Sequence, residues 1–305
     1  MKGMEIRMKK KLSDWKETLV AYGFLSPWFI GFLFFTGGPI IASIVLSFTR
    51  WDLFGTPEFI GLENYRSLFS EHSQFLSSLR VTFIYTFVSV IVSVTASLML
   101  AVLLNFKVKL IGIFRFLYFV PAVMPTVAMA AIFRLMLNQE MGIINHFLFN
   151  LGISSPPNWL NDMFWIWPTL AILSIFTFST GQMMMIFNSA LKEVPQHLYE
   201  ACDLEGANFL QRFRHVTLPS ISPIILFNTV VATVSSFNTS FSVIYPLTGG
   251  GPGSETTVLS LSIYQYAFRM FNMGYASALA VVLFVIVAVV AAIQFKISKK
   301  TVTYD

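Results

Sequence analysis

Charge is scarce in this sequence. Asp, Glu, Lys and Arg supply only 11% of its 305 residues, and the mean hydropathy is +0.70. So little charge cannot keep a domain of this size in water, which excludes a soluble fold. Cysteine is almost missing too: Cys202 stands alone, so no internal disulfide framework exists. No cluster of His, Cys and carboxylates shows metal-ligand spacing, and the isolated His72 reads as a solvated surface residue. The phosphate-cradling pattern GxxxxGK[ST] is absent, so the chain cannot bind ATP by that route.

What is present is apolar: 55% hydrophobic residues and 16% aromatics, with 32 Phe, as suits side chains facing lipid. Six windows hold no Asp, Glu, Lys or Arg: 18–49, 81–106, 116–133, 163–191, 216–254 and 270–295. About 20 apolar residues cross a bilayer core as a helix. The windows therefore predict an all-α membrane protein of six transmembrane helices, with spans near 19–48, 82–104, 115–136, 164–188, 219–245 and 272–295. Lys and Arg fix the orientation. With an even number of spans, residues 1–17, the loop holding Lys107, Lys109 and Arg115, the segment 189–218 and the tail share one side. That side carries 15 of the 20 basic residues, while the other carries five basic and seven acidic ones. The basic side is the cytoplasm and holds both termini; 1–17 is a cytoplasmic arm and 18–305 the membrane domain. The arm is not a cleaved signal peptide, since its apolar run has span length and no small-residue cleavage site follows. The basic pI belongs to membrane orientation, with no nucleic-acid partner.

Individual spans carry further expectations. Pro27 and Gly37-Gly38-Pro39 predict a kink in the first. Residues 50–80 are amphipathic, and Trp51, Phe54, Phe59, Tyr65 and Phe69 fit an interfacial aromatic collar or a ligand site. Ser and Thr of the second span bond their own backbone. Pro121 and Pro125 break the third in mid-membrane, a break that survives only inside protein or against a water-filled cavity. Residues 138–162 read as a short helix, a turn and a linker on the outer side, and Trp159, Trp165 and Trp167 mark the outer interface of the fourth span.

The fourth and fifth spans hold the useful polar groups. Ser174, Thr177, Ser179, Thr180 and Gln182 cluster in the fourth. Thr229, Thr233, Ser236 and Ser240 repeat at i, i+4, i+7 and i+11 in the fifth, beside Asn228, Phe237, Asn238 and Phe241. Such a stripe fits helix–helix packing and a solute path alike. Thr177, Thr180, Gln182, Thr229, Thr233, Ser236, Phe237, Asn238 and Ser240 are the candidate path residues. Hydroxyls, amides and aromatics suit sugars; a phosphate or carboxylate calls for Arg or Lys, which windows 163–191 and 216–254 lack. A proton-coupled carrier needs an intramembrane acid or His relay, which is missing as well.

Between those spans, 189–218 is polar but not featureless. Leu191, Val194, Leu198, Ala201 and Cys202 recur at helical spacing. Pro195 suits a helix's first turn, and Gly206 its end. A second short helix presents Phe209, Leu210, Phe213 and Val216 and stops at Pro219. Two short helices hinged at a glycine lie across a membrane surface.

Glu200-Ala201-Cys202, then Glu205-Gly206-Ala207, then Phe213 and Leu218-Pro219 resemble the cytoplasmic signature of bacterial ABC-importer permeases. Cys202 stands where that family has a second Ala, and Glu205 where it has Asp. Leu247-Thr-Gly-Gly-Gly-Pro-Gly-Ser254, a glycine-rich outer turn, is similar to a segment before the last span of the carbohydrate-type permeases, the MalF/UgpA-like group. The resemblance implies the type I ABC importer membrane fold in the bacterial inner membrane, with no enzymatic activity and no cofactor in this chain. It implies a second homologous permease, two ATPase subunits that bind ATP and Mg, an extracytoplasmic solute-binding protein, and a carbohydrate, an oligosaccharide in particular, as cargo. It makes Glu200, Ala201, Asp203, Glu205, Gly206, Ala207, Phe209 and Leu210 the ATPase-coupling residues. Alternative readings are a glycerol 3-phosphate permease and a carrier or channel working without ATP.

Overall fold

The computed structural model describes residues 2–70, 73–105, 112–113, 116 and 123–301; His72, Lys107, Lys109, Arg115 and Pro121 fall outside them. Helix α1 (Lys2–Phe32) runs unbroken from the basic arm into the first span. A π turn, Leu33–Gly37, joins it to α2 (Gly38–Leu46). The expected kink takes the form of this turn, which places Pro39 in the first turn of α2, where its missing N–H costs nothing. Pro27 is accommodated inside α1.

Beyond α2 lies the one exception to an all-α fold among the described residues, a ribbon of β1 (Thr49–Arg50) and β2 (Glu58–Phe59), antiparallel with Thr49 opposite Phe59. Short α3 (Glu63–Ser67) follows. Its Asn64, buried, donates to the carbonyls of Ser47 (2.9 Å) and Thr49 (2.8 Å), and Tyr65 shares a hydrogen bond with Ser47. Of the expected collar, Phe54, Phe59 and Phe69 are exposed.

Helix α4 (Phe75–Asn105) organises the bundle. Its buried face bears Ser78, Thr82, Thr86, Ser89, Ser93 and Ser97, small residues that let neighbouring helices approach closely. Thr82, Ser93 and Ser97 bond their own backbone as expected. Thr82 Oγ1 also accepts the N–H of Leu259 (2.8 Å), and Ser78 pairs with Ser262 (2.9 Å). These bonds tie α4 to the short helix Leu259–Tyr264.

Next come α5 (Thr126–Met136), α6 (Ile143–Asn150), α7 (Met163–Ile175) and α8 (Phe178–Glu193). The segment 189–218, expected to couple to an ATPase, contains α9 (Gln196–Leu204), α10 (Phe209–Arg212) and a π turn (Phe213–Thr217), and leads into α11 (Leu218–Ser220). Then follow α12 (Ser222–Leu247), α13 (Leu259–Tyr264), a π turn (Gln265–Arg269) and α14 (Met273–Thr301). The expected short helix in 138–162 is α6, held by Asn145, which donates to Pro157 O and accepts from Trp159 Nε1. Gly274 opens α14 where its backbone meets the Thr49 carbonyl; a Cβ there would lie 1.9 Å from that oxygen.

Among the described residues, four helices are long and apolar enough to cross a bilayer: Glu17–Leu46, Phe75–Asn105, Ser222–Leu247 and Met273–Ile297. Met163–Ile175 with Ser179–Glu193, bent by 50°, makes a fifth if taken as one span. The sequence predicts six spans, and the expected third, near 115–136, falls partly on residues outside the described ones. The third is represented among the described residues by α5, about 16 Å long, which begins only after Pro125 in an extended conformation. The fourth is not straight, for a reason its side chains supply. Thr177 and Thr180 hydroxyls both donate to the Ser174 carbonyl (2.9 Å each), and Thr177 itself is extended at ψ 157°.

Candidate functional site

The bend in the fourth span separates two apolar clusters. One gathers Ile166, Leu170, Leu173, Ile244 and Leu247; the other, nearer the coupling segment, gathers Met183, Met184, Phe187 and Ile221. Between them Ser174, Thr177 and Ser179 meet Ser89 and Ser93 of α4 and Ser235, Ser236 and Thr239 of α12 around a space of about 20 Å³. That room holds about one water, not a sugar ring. Among the described residues, Ser236 Oγ, Thr86 Oγ1 and both amide atoms of Asn228 are buried without a hydrogen-bond partner. Leaving such groups unpaired costs about 1–3 kcal/mol each, and of these Ser236 Oγ belongs to the lining of this space.

The candidate path residues divide. Thr177 and Thr180 hold the bend, while Gln182 lies on α8. Thr233 accepts from Gln294 Nε2 of α14 (2.8 Å), and Ser240 bonds Ser260 (2.8 Å), so both join elements of this chain. Thr229 donates to the Ile225 carbonyl within its own helix. Phe237 is buried edge-on against Phe83. Asn238 is exposed, on a face that also bears Ser235, Ser242 and Tyr245 at i, i+3, i+7 and i+10. Helical spacing marks both stripes; only packing tells which one neighbouring helices cover.

At one end of the bundle the expected coupling segment is a built unit. Pro195 caps α9 from outside rather than sitting within its first turn. Gly206 takes φ +73°, and the Ala207 N–H reaches back to the Cys202 carbonyl (3.0 Å), closing α9 as a Schellman turn. Asn208 and Gln211 form a reciprocal capping box that starts α10. Arg212 pairs with Asp203 across the turn. Pro219 does not end the helix: the π turn before it shifts the hydrogen-bond register, and α11 continues through the proline towards α12.

Tyr199 bonds Thr217 (3.0 Å), and Asn105 of α4 donates to Asn188 (3.1 Å), anchoring the unit to the bundle. A cavity of about 350 Å³ beneath it is lined by Val102, Tyr199, Phe209, Arg212 and Phe213. Away from the bundle, Glu200, Ala201 and Glu205 are exposed and Ala207 is half-buried. The two carboxylates make no ion pair among the described residues. Leu204 is 90% and Leu210 69% exposed, beside Phe209, which stacks on Phe213. Sequence reasoning missed Leu204; its position two residues before the glycine, at the end of the helix, was the available signal.

At the opposite end, a cavity of about 520 Å³ lies between the ribbon and the start of α14, walled by Trp51, Asn64, Tyr266, Asn272 and Tyr275. Burial first, and then neighbouring Tyr275, raise the Tyr266 pKa, keeping its hydroxyl protonated at neutral pH. The glycine-rich turn expected at 247–254 is there, with positive φ at Gly249, Gly250 and Gly253.

The family model described as binding-protein-dependent transport system inner membrane component matches residues 93–303. The probable ABC transporter permease protein YesP of Bacillus subtilis is 41% identical over 98% of this chain and 96% of its own. The arabinooligosaccharides transport system permease protein AraP of the same organism is 33% identical over 94% and 93%. A solved bacterial ABC transporter involved in importing the acidic polysaccharide alginate superposes with TM-score 0.83, covering 96% of this chain and 100% of that one, at 22% identity. At that identity the likeness shows the fold, the type I importer membrane fold.

Proposed function

The chain belongs to the family of binding-protein-dependent transport inner-membrane components, a transport family rather than an enzyme family, and on that premise we propose that it is half of the pathway of an ATP-driven oligosaccharide importer. The other half is a second homologous permease. Two cytoplasmic ATPase subunits and an extracytoplasmic binding protein complete the machine, and the binding protein delivers the cargo.

The observation that carries this reading is the coupling segment. Its two short helices are closed by a Schellman turn, a capping box and an ion pair, so they move as one body. Exposed Leu204 and Leu210 with Glu200 and Glu205 give it an apolar knob rimmed by carboxylates, suited to a cleft with basic edges. Both ends run into spans: α8 on one side, α11 and α12 on the other.

ATP and Mg, bound by the partner ATPases, supply the closure that draws the knobs together. The chain's own part is to convert that displacement into movement of α8 against α4 and of α12 against α5. Such movement widens the hydroxyl cluster at the Thr177 bend from water-sized to sugar-sized. Ser174, Ser179, Ser235, Ser236 and Asn238 then hydrogen-bond cargo hydroxyls. A neutral, hydroxyl-rich lining favours carbohydrate, and the relative named for arabinooligosaccharides supports the same class.

The test is uptake into proteoliposomes by the assembled complex, with labelled arabinotriose and maltotriose as cargo. Accumulation that requires internal-facing ATP and the binding protein is the expected result. Accumulation without ATP, driven by a gradient alone, overturns the reading.

A further inference from the structure

Two arginines outside the charge-free windows arrive at the same place, the end of α12 farthest from the coupling segment. Arg134 of α5 donates to the Pro246 carbonyl (3.3 Å). Arg269 lies over the ring of Tyr245, 5.8 Å from its centroid. They therefore attach to consecutive residues of one helix. Both are exposed, and neither makes an ion pair among the described residues.

Their surroundings are not those of solvated surface charges. Tyr245 stacks on Phe241 (5.2 Å, 11° between planes), Tyr264 touches both at 5.1 Å, and Phe268 extends the series at 5.5 Å. Four rings thus lead from the exposed face of α12 outward. Beside Arg134 is a cavity of about 350 Å³ walled by Asn138, Gln139, Asn158 and Asn161, with Glu140 the single acid. Rings stack on the apolar faces of sugars, amides bond their hydroxyls, and guanidinium forks bind carboxylates. The cavity itself holds one arginine and one glutamate; Arg269, outside that lining and over Tyr245, adds a second cation that makes no ion pair among the described residues, a charge that a neutral sugar does not need.

We propose that this mouth is a selectivity subsite for carboxylate-bearing oligosaccharides, uronic-acid oligomers as a class, with Arg134 and Arg269 reading the carboxylates and the Phe241–Tyr245–Tyr264–Phe268 series holding the rings. The inference rests on the importer reading and sharpens its cargo. Charge is met at the mouth and left there, so the neutral hydroxyl cluster inside need only pass sugar hydroxyls.

The experiment uses the complete importer in proteoliposomes and compares trimers of galacturonate, glucuronate and mannuronate with arabinotriose, maltotriose and glycerol 3-phosphate. ATP-dependent uptake of at least one uronate trimer is expected. In R134Q/R269Q its KM rises about tenfold, the loss of one or two charge-assisted contacts. Maximal uptake rate and the binding protein's own affinity stay unchanged, and R134K/R269K recovers most of the loss. Co-purification of all subunits controls for assembly. ATP-dependent uptake of neutral trimers alone, or of glycerol 3-phosphate alone, overturns the proposal while leaving the importer reading intact. So does an equal effect of R134Q/R269Q on charged and neutral cargo, which makes the arginines a contact for the binding protein. Uptake independent of ATP fails the importer reading itself.

Discussion

Arg212 of α10 donates to Asp203 of α9 across the turn at Gly206, so the two helices of the coupling segment are joined by a charge pair as well as by the chain. Both side chains are more than a third exposed, and such a pair adds at most about 1 kcal/mol to stability. Its value is angular: it fixes how Leu204 and Leu210 are presented. Asp203→Asn should leave the melting temperature in detergent almost unchanged and lower binding-protein-stimulated ATPase activity several-fold. The exchange Asp203→Arg with Arg212→Asp should restore most of that stimulation. A large fall in melting temperature would show that the pair holds the fold instead.

Gly206 is required by its backbone, not by crowding. At φ +73° a side chain is strained although no atom lies within 4 Å of where a Cβ would sit. Gly206→Ala should cost about 1 kcal/mol locally and weaken coupling modestly. Gly206→Pro cannot adopt the angle at all; the protein should insert, but ATP hydrolysis should no longer drive uptake. Normal uptake by Gly206→Pro would remove the segment from the mechanism.

Much of this was legible in the sequence, because the information was local. Charge-free windows placed the long helices, and Gly206 marked the turn between the two short helices of 189–218. What could not be read depended on neighbours. The bend at Thr177 arises from two hydroxyls competing for one carbonyl, which spacing does not reveal. Pro219 looks like a stop until a π turn ahead of it removes the need for its donor. Thr233 and Ser240 share a stripe with Ser236, but Gln294 and Ser260, from remote parts of the chain, take up those two hydroxyls and leave Ser236 Oγ without a partner among the described residues.

That last distinction predicts different failures on the two faces of α12. Asn238→Leu and Ser235→Leu, on the uncovered face, should reduce uptake about tenfold or more without loss of protein. Thr233→Val should instead lower thermal stability by about 1 kcal/mol by orphaning Gln294 and leave transport per assembled complex near normal. Uptake and melting curves of the same preparations separate the outcomes, and a reversal of the pattern would move the path to the covered face.

Gly274 predicts a purely structural effect. A methyl group there meets the Thr49 carbonyl at 1.9 Å, backbone that cannot rotate away. Gly274→Ala should cost about 1–3 kcal/mol by pushing α14 off the ribbon, visible as a lower melting temperature. An unchanged melting temperature would mean that this junction is looser than its hydrogen bonds from Met273 and Gly274 to the Trp51 carbonyl indicate.

The most direct test concerns Leu204 and Leu210, the exposed apolar pair on the coupling segment. Leu204→Asp with Leu210→Asp can be measured for ATPase subunits retained on purified permease and for ATP-dependent uptake in the same preparation. Loss of ATPase retention and of uptake, with the second permease still bound and the melting temperature unchanged, is the result predicted. Full retention and full uptake would contradict the assignment of this segment as the lever between ATPase and pathway.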